Sequence, residues 1–348
     1  MEEAFGTKAG LLCGYFHWVA GATDNALYPT LFLEYVVSYL VNLEQRAVTS
    51  GSPSPWFSGF THLLVHDDAV RFLLCVIITI LLSMLNFLGL EFVGNVSIFV
   101  CILSMSPFFI LFFLGLPKVE PSRWSLMPQS QTVTMDDDGA FNPGWLTLPN
   151  FAGVVWRPFI NNLYWNLNSF DVGASFAGEV KNPERVFPQA MFLSFIFVVF
   201  SYVFTLFVAL GATDDSQNDW KAGHLSVVAS EVVGPWLGAW TVFAAAIGNI
   251  ALYEAEMSGD AFQLMGMGDR GLVPKIFSKR SKFGTPTYGI ILGTIVIIIL
   301  SLASFDAIVE MLNFAYSLSL LMEYAAFIKL RITDDDGTSP DPALILLL

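Results

Sequence analysis

The sequence predicts an all-α, polytopic membrane protein, and three observations carry that expectation. Of 348 residues, 55% are hydrophobic, 15% aromatic and only 13% charged, and the mean hydropathy of +0.62 exceeds that of a water-soluble domain of this size. Four uncharged stretches reach or pass the roughly 18 residues that mark a membrane-crossing helix: Phe72 to Leu90, Phe92 to Leu116, Met191 to Leu210 and Thr287 to Ser304. None of them alternates apolar and polar residues as a barrel strand would over about ten residues.

Composition also narrows the partners. A net charge of −14 speaks against a nucleic-acid binder, which needs basic stripes to neutralise phosphates. Cys13, Cys75 and Cys101 all fall in apolar segments and read as buried small hydrophobes, not as a disulfide frame or a metal site. The opening MEEAFGTKAG lacks the basic and apolar regions of a cleaved signal peptide, so insertion relies on the spans themselves.

Apolar runs and turn signals place eight spans, at about 10–41, 70–90, 92–116, 158–181, 187–211, 233–264, 285–304 and 306–330, in one transmembrane domain over 1–330. With an even number, both termini share a side. A cytoplasmic amino terminus puts ten of the sixteen lysines and arginines inside, including the cluster from Arg270 to Lys282, and six outside. Cytoplasmic termini are therefore expected. The segment 117–157, rich in Pro, Ser and Asp, reads as an outer loop, and 331–348 as a cytoplasmic tail whose apolar stub is too short to span. The sequon at Asn95 falls at an inner turn in this topology, where glycosylation does not occur.

Charged and amide side chains inside a span are costly unless paired or turned to an aqueous cavity, so they locate function. In the first span Asp24, Tyr28, Leu31 and Tyr35 recur on one face, with Pro29 able to loosen the backbone. Asp24 serves either a cavity or an interhelical hydrogen bond. The fourth span, INNLYWNLNSFDVGASFAGEV, is too polar for a lipid-facing helix. Asn168, Ser169 and Asp171 compete for backbone groups and Gly173 tolerates unusual dihedrals, so a break between Asn168 and Gly173 is expected. Free carbonyls at such a break, with the Asp171 carboxylate, suit an ammonium group, and Tyr164, Trp165 and Phe170 offer cation–π faces. Packing is the other role open to these aromatics. In the sixth span Asn249, Tyr253 and Glu256 share a stripe, with Glu254 about a quarter-turn away; both glutamates need partners, at least one is expected to face a cavity, and for the other a pair with a neighbouring helix is equally open. In the last span Asn313, Tyr316, Leu320 and Glu323 line one side, and Glu323 is expected to snorkel or to pair with Lys329 or Arg331. No enzyme constellation is present. The four histidines are not spaced as ligands with the cysteines, no Walker A sequence exists, and GMGDRG follows a helix instead of a strand, so no metal or cofactor is expected.

Four segments resemble the polyamine and amino-acid transporters of plants and protists, in the amino acid, polyamine and organocation superfamily. They are WVAGATDNALYPTLFLEY, NNLYWNLNSFDVGASFAGEVKNPERVFPQA, IALYEAEMSGDAFQLMGMGDRGLVPKIFSKRSKFGTP and MLNFAYSLSLLMEYAAFIKLR, spread over nearly the whole chain. The resemblance implies a LeuT-type fold of two inverted five-helix repeats, substrate between broken first and sixth helices, and proton-driven uptake. This chain then corresponds to helices three to ten. Its fourth span matches the family's broken sixth helix, while the first two helices and the last two have no counterpart. Some relatives keep a lysine in the fifth helix, but Gly94 to Leu116 is uncharged, which leaves the proton to a carboxylate.

The combined expectation is an incomplete LeuT-type transporter in the plasma membrane, a proton symporter of polyamines or related cationic amines. An amino acid permease, or a truncated fragment that does not transport, is the alternative. The expected substrate contacts are Asp24, Tyr28, Trp165, Asn168, Ser169, Phe170, Asp171 and Tyr253, and the proton-coupling residues Asp24, Glu254 and Glu256.

Overall fold

In lipid each backbone N–H and C=O must find a partner within the chain, which favours uninterrupted helices wherever the sequence is apolar. The computed structural model describes residues 1–49, 55–125, 156–215, 219–220 and 223–334. Among these residues the chain is helical, and the β-type pairing there is an isolated bridge between Arg280 and Pro286. The helices are α1 (Glu2–Phe5), α2 (Thr7–Asn25), α3 (Leu27–Thr49), α4 (Pro55–His66), α5 (Asp68–Asn86), α6 (Leu90–Gly115), α7 (Trp156–Leu167), α8 (Pro183–Ala212), α9 (His224–Val232), α10 (Pro235–Asp269), α11 (Thr287–Leu300) and α12 (Phe305–Asp334).

Local chemistry sets the boundaries. The expected first span is divided into α2 and α3 at the single residue Ala26, because Pro29 has no N–H to offer the carbonyl of Asn25. Asp67 starts α5 as an N-cap, its Oδ1 accepting from the N–H groups of Ala69 at 3.0 Å and Val70 at 3.1 Å. The expected fourth span is α7, a non-helical link over residues 168–171, and a 3₁₀ segment from Val172 to Glu179.

Helix α10 is the axis of the molecule. It packs against α2, α3, α5, α6, α9 and α11, while α12 lies along α2. Close approach of α10 and α11 depends on Gly289, where a Cβ would stand 3.0 Å from both the Cα and the carbonyl oxygen of Ala261. On the other side α8 touches α6 through the rings of Phe112 and Phe204, whose centroids are 4.9 Å apart. Residues 191–200 of α8 are exposed throughout, Leu193 at 71% and Phe192 at 67%. Apolar side chains exposed along a whole helix fit a lipid environment. Among the described residues, α5, α8, α10, the segment Glu91–Lys118 and the segment Phe305–Ile332 are long and apolar enough to cross a bilayer, and α11 is apolar but shorter.

Two expectations change. Cys101 is exposed on α6, not buried, since it lies on that helix's outer face. Asn95 lies inside α6, not at a turn. Only the two ends of the expected outer loop are described, as 3₁₀ turns at Leu116–Lys118 and Pro121–Ser125 and the first residues of α7. Residues 126–155 of that loop and 335–348 of the tail lie outside the described residues.

Candidate functional site

The link after α7 is where the polar fourth span departs from helical geometry. Ser169 has φ 59, in the left-handed region, and its Oγ donates to the neighbouring Asn168 Oδ1 at 3.2 Å, a local bond that competes with the helix ladder. The backbone N–H of Ser169, freed from the ladder, donates to the Tyr316 hydroxyl at 2.9 Å, and that hydroxyl donates in turn to Asp171 Oδ1 at 2.7 Å. Asn313 Nδ2 donates to the Asn161 carbonyl at 3.2 Å and Ser317 Oγ to the Tyr164 hydroxyl at 3.1 Å. The polar stripe of α12 thus faces α7 and the link. Phe170, by contrast, is 52% exposed and turns away from these partners.

Asp171 has a second neighbour that the sequence did not reveal. Its Oδ2 lies 3.4 Å from His17 Nδ1, which is 3.7 Å from Glu323 Oε1. Glu323 therefore pairs with His17, not with Lys329 or Arg331, because α12 runs along α2 and brings residue 323 beside residue 17. Lys329 instead donates to the Ala4 carbonyl at 2.5 Å.

A separate acidic centre lies where α2, α3 and α10 meet. Asp24 is 3% exposed; the Trp165 indole N–H donates to its Oδ1 at 2.8 Å and the Tyr28 hydroxyl to its Oδ2 at 3.1 Å. The Ala26 break divides the expected stripe, since Tyr28 packs towards α10 and α11 while Leu31 and Tyr35 pack towards α12. On α10, Glu256 and Asp260 follow at i, i+4, the spacing that shares a helix face, at 8% and 4% exposure. Asp260 presses on Gly21, where an added Cβ would come within 2.0 Å of its Oδ1. Glu256 lies within electrostatic reach of Asp24, Asp260 and Asp171. Among the described residues no lysine or arginine forms an ion pair with Asp24, Glu256 or Asp260. Asp260 was the member missed from sequence; its signal was the four-residue spacing from Glu256.

The other expected residues form a third group, between α5, α10 and α11. Tyr253 is fully buried, with its hydroxyl 2.6 Å from Ser83 Oγ. Thr294 Oγ1 lies 2.7 Å from the same Ser83 oxygen. Asn86 Nδ2 reaches both the carbonyl of Glu254 at 2.9 Å and its Oε2 at 3.1 Å, and Ser258 Oγ donates to Asn86 Oδ1 at 3.2 Å. The residues named from sequence therefore divide three ways: Asp24, Tyr28, Trp165 and Glu256 at the acidic centre, Asn168, Ser169 and Asp171 at the link, and Tyr253 with Glu254 in this network.

A membrane interior that holds three carboxylates near one another without a basic partner favours a cation or protons among them. Comparisons with known proteins agree with such a membrane setting. The amino acid permease family model matches residues 1–347. A probable polyamine transporter of Arabidopsis thaliana is 36% identical over 341 residues, covering 98% of this chain and 62% of that protein. The polyamine transporter PUT1 of Oryza sativa is 35% identical over 340 residues, covering 98% and 56%. The polyamine transporter RMV1 of Arabidopsis thaliana is 34% identical over 337 residues, covering 97% and 60%. The chain thus spans 56% to 62% of the length of these curated relatives. Family and apolar helices together make it an integral, multi-pass membrane protein.

Proposed function

The chain belongs to the amino acid permease family, and from that premise we propose that it is a secondary transporter importing polyamines or related cationic amines by proton symport. One observation carries this reading: Asp24, Glu256 and Asp260 are each 8% exposed or less and no lysine or arginine pairs with them among the described residues. A carboxylate in low dielectric is neutralised by a proton or by an ammonium group, and exchange of one for the other couples the two fluxes. Several carboxylates suit a substrate with more than one positive charge.

In this reading Asp24 binds one ammonium and Trp165 and Tyr28 wall the alkyl chain. Glu256, with Asp260, takes the proton. Asp171 and the carbonyls of Asn168 to Phe170 receive the second ammonium when the link rearranges. Trp165 rides on α7 and covers Asp24, so displacement of α7 opens the acidic centre, and rocking around a midplane site supplies alternating access. Tyr253 and Glu254 support the α5–α10 contact. Both termini face the cytoplasm, and the membrane is the plasma membrane.

The name of the matched family favours a second reading, uptake of amino acids, and one assay separates the two. Radiolabelled putrescine is offered to proteoliposomes of the protein under an imposed proton gradient. Gradient-dependent uptake that an excess of neutral amino acid leaves unchanged is expected; competition by the neutral amino acid transfers the assignment to amino acids. Asp171→Asn is expected to weaken uptake strongly, and near-normal uptake by that variant removes Asp171 from the site.

A further inference from the structure

His17, Asp171 and Glu323 come from α2, from the link after α7 and from α12, and one ligand atom of each lies within 4.8 Å of the other two. The edges from His17 Nδ1 are 3.4 Å to Asp171 Oδ2 and 3.7 Å to Glu323 Oε1. Imidazole nitrogen and carboxylate oxygen bind Zn²⁺ at about 2.0–2.2 Å, and two such ligands at tetrahedral angles stand roughly 3.3–3.6 Å apart. The two edges at His17 are therefore close to the spacing that a tetrahedral divalent ion requires, and the third lies within 4.8 Å. We propose that His17, Asp171 and Glu323 form a Zn²⁺ site with three protein ligands and a fourth position for water.

Outer partners prepare the ligands. The Tyr316 hydroxyl holds Asp171 Oδ1 at 2.7 Å, which leaves Oδ2 directed at His17, and the Cys13 thiol donates to Glu323 Oε1 at 3.7 Å. Such contacts orient metal ligands and account for a large share of affinity. One imidazole with two carboxylates suits a borderline ion such as Zn²⁺ better than Ca²⁺ or Mg²⁺, which take oxygen ligands in larger number or in octahedral geometry. The site also has a mechanical consequence. Asp171 lies on the non-helical link, whereas His17 and Glu323 lie on long helices, so a bound ion ties the link to α2 and α12 and restrains its movement. The inference stands on side-chain geometry and holds whether or not the transported substrate is a polyamine.

The test measures binding alone. His62 and His66, with ring centroids 4.4 Å apart on α4, can chelate independently, so the parent for the experiment carries His62→Gln and His66→Gln. Purified protein in lipid nanodiscs is titrated with Zn²⁺ against a chromogenic chelator, and thermal unfolding is followed with and without the ion. One equivalent is expected, with a Zn²⁺-dependent rise in Tm. Since loss of an outer partner alone costs 10- to 100-fold, removal of a ligand by His17→Ala or Glu323→Gln is expected to weaken binding at least about tenfold and to abolish the rise in Tm. Glu323→Gln keeps the side-chain shape and decides the matter if His17→Ala does not fold. A parent that retains no Zn²⁺, or unchanged stoichiometry and affinity in the folded variants, overturns the proposal.

Discussion

Glu254 and Glu256 are two residues apart on α10 and both buried, at 2% and 8% exposure, yet they have opposite surroundings. Glu254 accepts from Asn86, which itself accepts from Ser258, and a second set of bonds on α5 joins Ser83 to Tyr253 and Thr294. Each glutamate leaves its Oε1 buried and unpartnered, but Glu256 has no hydrogen-bond partner at all among the described residues, and its acidic neighbours are Asp24, Asp260 and Asp171. A helix turns about 100° per residue, so the two side chains enter different compartments: one between α5 and α11, the other towards α2 and α3. Burial of a carboxylate is thus not informative by itself; its partners distinguish one such group from another.

The sharpest way to break this comparison is to neutralise each glutamate in turn. A charge-assisted contact is worth about 1.5–3 kcal/mol, or roughly 10- to 100-fold. Glu256→Gln is expected to lower polyamine uptake by that factor while leaving Tm unchanged or higher, because it removes one of several mutually repelling carboxylates. Glu254→Gln keeps an oxygen for Asn86 and should leave uptake within about twofold. Equal losses of uptake in the two variants, measured in proteoliposomes at matched reconstitution, would erase the distinction.

Next in size is Asn86→Ala. It strips partners from the Glu254 carboxylate, from the Glu254 carbonyl and from Ser258 at once, and a buried group left unsatisfied costs about 1–3 kcal/mol. Reduced thermal stability with near-parental substrate affinity is expected; an unaltered Tm would mean that the network does not bind α5 to α10. On the acidic side the matching change is Gly21→Ala. Its Cβ would fall on Asp260 Oδ1, and either Asp260 turns or α2 and α10 separate, at about 1 kcal/mol. Uptake should fall more than stability, since displacement of Asp260 disturbs the proposed cation-binding set first.

The sequence made the two compartments unequally legible. Apolar runs disclosed most long helices because lipid imposes one simple rule on the backbone, and the run of Asn168, Ser169 and Asp171 disclosed the break after α7 because those side chains compete locally for N–H groups. Convergence over long separations left no such mark. His17, Asp171 and Glu323 are each more than 150 residues from the next, and only the packing of α2 beside α12 unites them. Asn86, at the end of an apolar helix, gave no periodic signal, so Glu254 and Glu256 were indistinguishable until their neighbours were known. Asp260 shared Glu256's face in the sequence, but its contact with Gly21 is a property of two helices and not of one.

The smallest effect tests whether the α5–α10 network behaves as one unit. Ser83 Oγ sits 2.6 Å from the Tyr253 hydroxyl and 2.7 Å from Thr294 Oγ1, but each neighbour has another acceptor, Thr79 O at 3.4 Å for Tyr253 and Ile290 O at 2.7 Å for Thr294. Ser83→Ala therefore leaves neither hydroxyl without a partner. Interhelical hydrogen bonds inside membranes average about 0.6 kcal/mol by double-mutant cycles, and a loss of that order is expected from chemical or thermal unfolding. Combining Ser83→Ala with Asn86→Ala distinguishes independent bonds from a coupled network. Additive losses mean that Tyr253 and Glu254 are held separately; an interaction term above about 0.5 kcal/mol means that the polar contacts of α5 hold α10 as a single fixed surface. A fixed surface of that kind gives the acidic face of the same helix a rigid backing.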